Sequence, residues 1–316
     1  MQERVGPVTP GDVEDAARRI ATHVRATPVL HLRAGELPGL AHDVVLKLEL
    51  LQHTGSFKPR GAFNRVLSET VPAAGVTGAS GGNHGAALAH VAAALGHRAE
   101  IFVPESSPPM KAARIASLGA HVVLGGARYD DAQAACDAHA QVTGALVIHP
   151  YDHPATVAGA GTCARELEAG HGAFDTVLTS TGGGGLTAGT ASWFAGRTHV
   201  VSVEPATSCS MAAALDAGRP VPVEVEGIAI DSLGTRQAGA VTFACCAAYG
   251  VVGITVTDEA IRSAQRALWQ ALRLVVEPGG AAAVAALLSG SYVPARGERV
   301  AVIVCGANCD PATVTD

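Results

Sequence analysis

The sequence predicts an α/β fold, doubly wound around parallel sheets, and three observations carry that prediction. Short β-branched runs alternate with Ala-rich helical segments along most of the chain. The runs are apolar with little polar alternation, as expected of parallel strands covered on both faces. No repeat of fixed period and no low-complexity linker breaks the alternation.

The first helix is predicted over 10–24, with Thr9 as its N-cap, and "DVVLKLEL" at 43–50 reads as a strand. A second helix is predicted over 59–68, opened by Pro59, whose missing N–H costs nothing at a first helical position. Strand–helix pairs follow in succession. "VTGAS" leads into "NHGAALAHVAAALG", "AEIFVP" into "PPMKAARIASLG" and "AHVVLG" into "YDDAQAACDAHAQ". "ALVIHP" precedes a helix running to about 169, and "FDTVLTST" precedes "GGLTAGTASWFAG". "THVVSVEP" then leads into "SMAAALDAG". The stretch 231–257 is less regular, "TDEAIRSAQRALWQAL" is an amphipathic helix, and "ERVAVIVCGAN" is a last buried strand running into a loop.

Composition narrows the function. With 316 residues, 48% hydrophobic and 16% charged, the chain can bury a large core and form one large or two medium domains. A net charge of −6 and the absence of any basic run argue against a nucleic-acid partner. The longest apolar run, 281–288, is far too short to span a membrane. The first twenty residues lack the apolar centre of a signal peptide. Seven cysteines without a CxxC pair read as reduced thiols of a cytoplasmic protein, and no His or further Cys stands at metal-ligand spacing from 245–246 or 305–309.

Ligands of such folds bind at the carboxyl ends of strands, so the turns there carry the chemistry. In "HTGSFKPRGAF" a lysine, Lys58, stands where a loop enters a helix, with no acid in the stretch. The positive end of the helix dipole would lower its pKa, which suits Schiff-base chemistry; a solvated lysine at a helix start is the plainer alternative. "SGGNHG", Ser80 to Gly85, follows one strand and offers several N–H groups to an anion such as a carboxylate. Gly182, Gly183, Gly184 and Gly185 follow another and would cradle a phosphate at a helix start; a tight turn is the alternative for each cluster. Neither a P-loop nor a GxGxxG context accompanies them. A phosphate cradle without nucleotide features, beside a candidate Schiff-base lysine, suggests pyridoxal 5′-phosphate.

"TGSFKPRGA", "SGGNHG", "TGGGGLTAG", "VEP", "VEPGGAAAVAAL" and "VIVCGAN" occur in one order over roughly 27–310. In this the chain resembles the fold-type II pyridoxal-phosphate enzymes, specifically the threonine/serine dehydratases (ammonia-lyases) and their relative serine racemase. The resemblance implies two doubly wound α/β domains with the cofactor in the cleft between them: a large domain of 1–50 plus 149–316 and a small mobile domain of 51–148. It implies that Lys58 holds the cofactor and takes the substrate's Cα proton, with Phe57 beside the ring. Ser80, Gly81, Gly82, Asn83 and His84 would hold the substrate carboxylate, Asn83 also reaching the cofactor's 3′-oxygen and His84 bracing the loop. The four glycines and Leu186 would hold the phosphate. Cys305 would face the pyridine nitrogen as a neutral thiol, although a buried free cysteine is its reading without the resemblance.

The implied reaction is β-elimination of water from L-threonine or L-serine, giving a 2-oxo acid and ammonia, by a homodimer. Phenylserine, 3-hydroxyaspartate or a hydroxyectoine-derived amino acid would fit the same motifs. Arg236 in the 228–240 segment would meet an acidic substrate or lie on the surface. Serine racemases carry a Ser before "GNHG", where this chain has Gly81, so little racemisation is expected. A non-catalytic small-molecule binding protein is the reading from another class. In racemase-like relatives a Glu, a carbonyl four residues on and an Asp six residues on bind a divalent ion. Here Glu204 and the Ser208 carbonyl stand with Ser210 in place of the Asp, which suits a monovalent ion such as K⁺; resemblance to the liver-type serine dehydratases implies the Leu233 and Thr235 carbonyls as further ligands. The alternative is that Glu204 makes a structural hydrogen bond only.

Overall fold

The computed structural model describes residues 6–315. Its strands are β1 (Val29–Leu32), β2 (Val44–Lys47), β3 (Val76–Ala79), β4 (Ala99–Val103), β5 (His121–Leu124), β6 (Leu146–Val147), β7 (Thr176–Ser180), β8 (His199–Pro205), β9 (Val252–Val256) and β10 (Val300–Ile303). The helices of the first half are α1 (Pro10–Ile20), α2 (Lys58–Leu67), α3 (Asn83–Ala94), α4 (Pro109–Ser117), α5 (Tyr129–Thr143) and α6 (Pro154–His171). Those of the second half are α7 (Gly185–Phe194), α8 (Ser210–Ala217), α9 (Ile230–Leu233), α10 (Ala240–Ala248), α11 (Asp258–Leu272), α12 (Pro278–Leu288) and α13 (Ala312–Thr315).

Six strands form one sheet in the order β1-β2-β10-β7-β8-β9, and four form a second in the order β5-β4-β3-β6. All pairings are parallel except β1 with β2. The double winding is visible in alternate residues. Leu46, Leu178 and Val302 face a core shared with Ala281, Val284 and Ala285 of α12. Their neighbours Val45, Val177 and Ala301 face the opposite core, with Val157 and Ala164 of α6 and Ala188 of α7. Each fully buried Val, Ile or Leu contributes roughly 1.5–3 kcal/mol. A third core, with Val76, Leu88, Ile101 and Ile148, lies on the smaller sheet and includes Phe63 of α2.

Thr9 caps α1 as expected, in a reciprocal capping box with Asp12. Four expectations are corrected. The strand expected over 43–50 stops at Lys47, because Glu49–Leu51 turns as a 3₁₀ segment that buries Glu49. The helix expected from Pro59 begins one residue earlier, so Lys58 is itself helical. β5 is not buried on both faces: it is an edge strand with its ends exposed. The irregular 231–257 stretch holds most of α9, all of α10 and the edge strand β9.

Candidate active site

Three strands deliver the turns that matter: β3 runs into Ser80 and α3, β7 into the 182–185 loop and α7, and β10 into Cys305 and Gly306. Lys58 opens α2, which packs on α6 so closely that a Cβ at Gly61 would overlap Thr156 and one at Gly159 would overlap Arg60 and Asn64. The helix is pinned further by Arg60, whose Nε and Nη2 hold Glu49 at 2.7 and 2.8 Å with both side chains buried. Arg60 also reaches Glu166 at 3.0 Å, and Lys47 pairs with the same Glu166. Burial pushes Glu49 up, but Arg60 and Lys47 outweigh it and hold the carboxyl below its usual range. Losing either partner would strand a buried charge at a cost of about 3–5 kcal/mol.

Lys58 Nζ donates to the Pro150 carbonyl at 3.0 Å and stands 5.2 Å from the centre of the Phe57 ring. Burial pushes the amine down to about 8, against the raising pull of Cys305 and then Glu277. The lowered value has the direction expected of a lysine at a helix start, and burial is a cause of it that the local sequence does not display. Phe57 N–H donates to Cys305 O at 3.1 Å, which brings the lysine segment beside Cys305. Burial pushes the Cys305 thiol up to about 12, with Glu277 adding, so it is neutral.

In the 182–185 loop the N–H groups of Gly183, Gly184, Gly185 and Leu186 have no hydrogen-bond partner among the described residues. They sit at the start of α7, where unpaired amides collect an anion. The loop is backed tightly by other side chains. A Cβ at Gly183 would overlap the Tyr151 ring, and one at Gly184, which has φ +94°, would overlap Met211 and Thr242. Gly182 approaches the Leu233 backbone, its Cβ position lying 3.0 Å from Leu233 Cα.

The 80–84 loop is arranged differently. Ser80 Oγ accepts from Gly82 N–H at 3.1 Å, so that amide is taken, while the Asn83 and His84 N–H groups have no partner among the described residues. The Asn83 side chain is a hub: Nδ2 donates to Glu277 at 2.6 Å and Oδ1 accepts from Asn308 Nδ2 at 2.6 Å. His84 is buried with Nε2 2.8 Å from Ile148 O, and burial, aided by Lys58, pushes its pKa down to about 3, so the ring is neutral. A Cβ at Gly81 would overlap the Ser107 hydroxyl. In front of the loop a cavity of about 710 Å³ is lined by Asn83, Lys111, Arg114, Glu277 and Asn308 among others.

Three of these were not foreseen. Glu277 is buried, its carboxyl pushed up by burial, and it stands at the start of α12 as the one acid in an otherwise apolar stretch; that isolation was a readable signal. Asn308 donates to Asn83 and to the Thr54 carbonyl, and Thr54 is a non-glycine residue at φ 60°. Tyr151, in "HPYDH", lies against the glycine loop. Arg236 is exposed and is not on the cavity wall, where Lys111, Arg114 and Arg262 stand instead.

At the corner suggested for a cation, Glu204 is fully buried and its two oxygens accept from Met211 and Ala212 N–H at 2.8 and 2.7 Å. Ser208 Oγ and Thr235 N–H both reach the Leu233 carbonyl, at 3.4 and 2.8 Å, and Ser210 Oγ reaches Gly182 O at 3.4 Å. Ser208 and Thr235 thus meet at the Leu233 carbonyl, while the Glu204 carboxylate is occupied by the first amides of α8. No group of three His, Cys, Asp or Glu side chains able to hold a metal occurs among the described residues.

An amine whose pKa is depressed to about 8 and four open amides at a helix start are the donor set that an aldehyde bearing a phosphate asks for. The comparisons agree with that fit. Residues 20–306 match the family model described as pyridoxal-phosphate dependent enzyme. The chain is 38% identical to the biosynthetic L-threonine dehydratase of Mycobacterium leprae, over 97% of this chain and 74% of that protein. It is 35% identical to the phenylserine dehydratase of Ralstonia pickettii, over 93% and 91%. Among solved structures, the T.th. threonine deaminase superposes with a TM-score of 0.86 at 35% identity, covering 96% of this chain and 99% of that one. Maize serine racemase gives 0.89 at 28% identity, covering 98% and 95%. Lysine, glycine loop and a match spanning most of the chain lead to one conclusion: the chain belongs to the family of pyridoxal-phosphate dependent enzymes.

Proposed function

We propose that the protein is a pyridoxal-phosphate dependent ammonia-lyase that eliminates water from L-threonine, and from L-serine, to give a 2-oxo acid and ammonia. The observation that carries it is Lys58: an amine with its pKa lowered to about 8, on a pinned helix, within electrostatic reach of Glu277 and Cys305. The cofactor, when bound, supplies the electron sink that lets the Cα proton and then the Cβ hydroxyl leave. Lys58 holds it and afterwards serves as the base for the Cα proton, a role that an amine titrating near 8 fills at neutral pH. The open amides from Gly183 to Leu186 would hold its phosphate, and Phe57, whose ring centre lies 5.2 Å from Lys58 Nζ, would pack beside the cofactor. Cys305, a neutral thiol, would place no charge on the cofactor's pyridine nitrogen, which suits elimination. The Asn83 and His84 amides and the Ser80 hydroxyl orient the substrate carboxylate. The released product, an enamino acid, tautomerises and hydrolyses in water.

The division into 1–50 plus 149–316 and 51–148 is part of the same proposal. The two separate sheets support it, and Lys111 of α4 bridges the cleft to Asp231 at 3.1 Å. Closure of the smaller part over substrate would exclude water. A homodimer in the cytoplasm is the working assembly; all seven cysteines are free, and no helix among the described residues is long and apolar enough to cross a membrane. A K⁺ ion at Glu204 is part of the proposal too, sharing that carboxylate with the Met211 and Ala212 amides.

A second reading has one observation in its favour. The Ser107 hydroxyl stands where a side chain at Gly81 would be, so a hydroxyl is present there after all, and slow racemisation of serine becomes testable. The test loads the protein with cofactor and supplies L-threonine, L-serine, phenylserine, 3-hydroxyaspartate and the hydroxyectoine-derived acid. Release of 2-oxo acid, fastest from threonine, is expected. Substrates that perturb the cofactor's absorbance without any 2-oxo acid release would identify a binding protein instead. Chiral chromatography of the serine reaction reports racemisation, which Ser107→Ala should remove.

A further inference from the structure

We propose that Tyr151 is a cofactor-positioning residue whose hydroxyl donates a hydrogen bond to the phosphate held at the 182–185 loop. The inference rests on the reading of that loop as the phosphate site. The ring lies against the loop, since a Cβ at Gly183 would overlap Tyr151 Cδ1, Cε1 and Cζ, and one at Gly185 would overlap Tyr151 Cβ. The edge that carries the hydroxyl is therefore the edge next to Gly183. That hydroxyl has no hydrogen-bond partner among the described residues, although Tyr129, Tyr249 and Tyr292 each have one.

The ring is held firmly in place. Asp152 spends its carboxylate on Ala240, Val241 and Thr242 N–H at 3.0, 2.8 and 3.3 Å, tying the 149–152 segment to the start of α10. His149 Nδ1 accepts from Asp152 N–H at 2.8 Å, and the His149 ring meets the Tyr151 ring edge-on at 4.7 Å. Thr242 Oγ1 in turn donates to Gly183 O at 2.8 Å, so segment, helix and loop form one bonded unit. Burial, with Asp152 adding, pushes the phenol up to about 12, which keeps its proton available for donation throughout the neutral range. Pro150, the next residue back, already receives the Lys58 amine, so one short segment would address both ends of the cofactor.

The experiment compares apoprotein titrated with pyridoxal 5′-phosphate and with pyridoxal, which lacks the phosphate. Tyr151→Phe keeps the ring against Gly183 and removes the donor alone. It should weaken the phosphorylated ligand about tenfold or more, as for a lost bond to a charged acceptor, and leave pyridoxal unchanged. Equal affinity of wild type and Tyr151→Phe for the phosphorylated ligand, or an equal loss for both ligands, overturns the proposal. A wild type that does not prefer the phosphorylated form overturns the loop assignment itself. A measurement on the unsubstituted chain stands independently of the variant's folding. With 3-fluorotyrosine at its four tyrosines, inorganic phosphate added to the apoprotein should shift one ¹⁹F resonance; no shift at saturating phosphate counts against the contact.

Discussion

Two glycine-bearing turns lead from strand to helix here, both closely packed, and they differ in how side chains bond to them. The 182–185 loop is backed by packing, with Tyr151, Met211, Thr242 and Leu233 filling every direction a side chain would need, while its amides stay open. The 80–84 loop is tied by exchangeable hydrogen bonds: Asn83 to Glu277 and Asn308, and Ser80 to Gly82. Arg114 extends that network, donating to Asn308 at 2.5 Å and to the Thr54 carbonyl at 3.0 Å. The first is a mould that fits one rigid group; the second is a clamp whose bonds can be traded for those of a ligand. On the proposed function the first would hold a cofactor that stays and the second a substrate that comes and goes.

Lys58 bonds to Pro150, next to the Tyr151 that backs the glycine loop, and acts electrostatically on His84 of the other loop, so removing it should separate their roles most sharply. Lys58→Ala should lower turnover roughly a thousandfold or more and abolish the visible absorbance of lysine-bound cofactor. The phosphate mould is untouched, so inorganic phosphate should still protect the apoprotein from thermal unfolding. Normal threonine deamination by this variant would end the assignment of Lys58 as base.

The mould itself is tested at Gly184. Its φ of +94° is strained for any L side chain, and an added methyl would overlap Met211 and Thr242. Gly184→Ala is expected to weaken cofactor binding about a hundredfold, at roughly 3 kcal/mol, with a smaller effect on the KM of the enzyme that does load. At the clamp the pattern should reverse. Asn83→Ala should raise the KM for threonine about tenfold or more; because the side chain expected to reach the cofactor's 3′-oxygen is already bonded to Glu277 and Asn308, cofactor affinity should stay within a few-fold. It also strands Glu277, so the melting temperature should fall as well. If Asn83→Ala instead loses cofactor while KM holds, the clamp belongs to the cofactor and the contrast between the two loops collapses.

Much of this was legible before any coordinates, and the reason is physical. Glycines at strand ends and a lone lysine beside Pro59 are features of backbone geometry and local chemistry, which a sequence displays directly. Pairings at long range are not displayed. Nothing in the lysine loop shows that Arg60 is matched by Glu49 and Glu166, or that Asn83 is matched by a glutamate 194 positions on. Burial, a second cause of the lysine's low pKa, is hidden for the same reason: it is a property of everything packed around Lys58, whereas a helix start can be read from its neighbours. Tyr151 was passed over because its only sign is contact with a glycine.

The last prediction lies behind the mould, at Glu204. Burial pushes this carboxyl from its ordinary 4.5 up to about 7, against the Met211 and Ala212 N–H groups, which favour the charge. The folded pKa lies above the unfolded one, so the protonated group contributes stability that is complete below about pH 4.5. That stability is lost as the pH rises through about 7. The loss by pH 8 is on the order of 3 kcal/mol, enough to lower the melting temperature by a few degrees. Glu204→Gln cannot ionise, so its melting temperature should change less between pH 5 and 8 than that of wild type. A bound K⁺ would act against this slope by holding Glu204 charged. Wild type should then show a shallower pH dependence in K⁺ than in tetramethylammonium buffer, and higher activity. Identical slopes and identical turnover in the two buffers would leave Glu204 as the anchor of the first turn of α8 and remove the cation from this corner. Activity lost to EDTA and restored by Mg²⁺ but not K⁺ would remove the monovalent ion too, in favour of a divalent one.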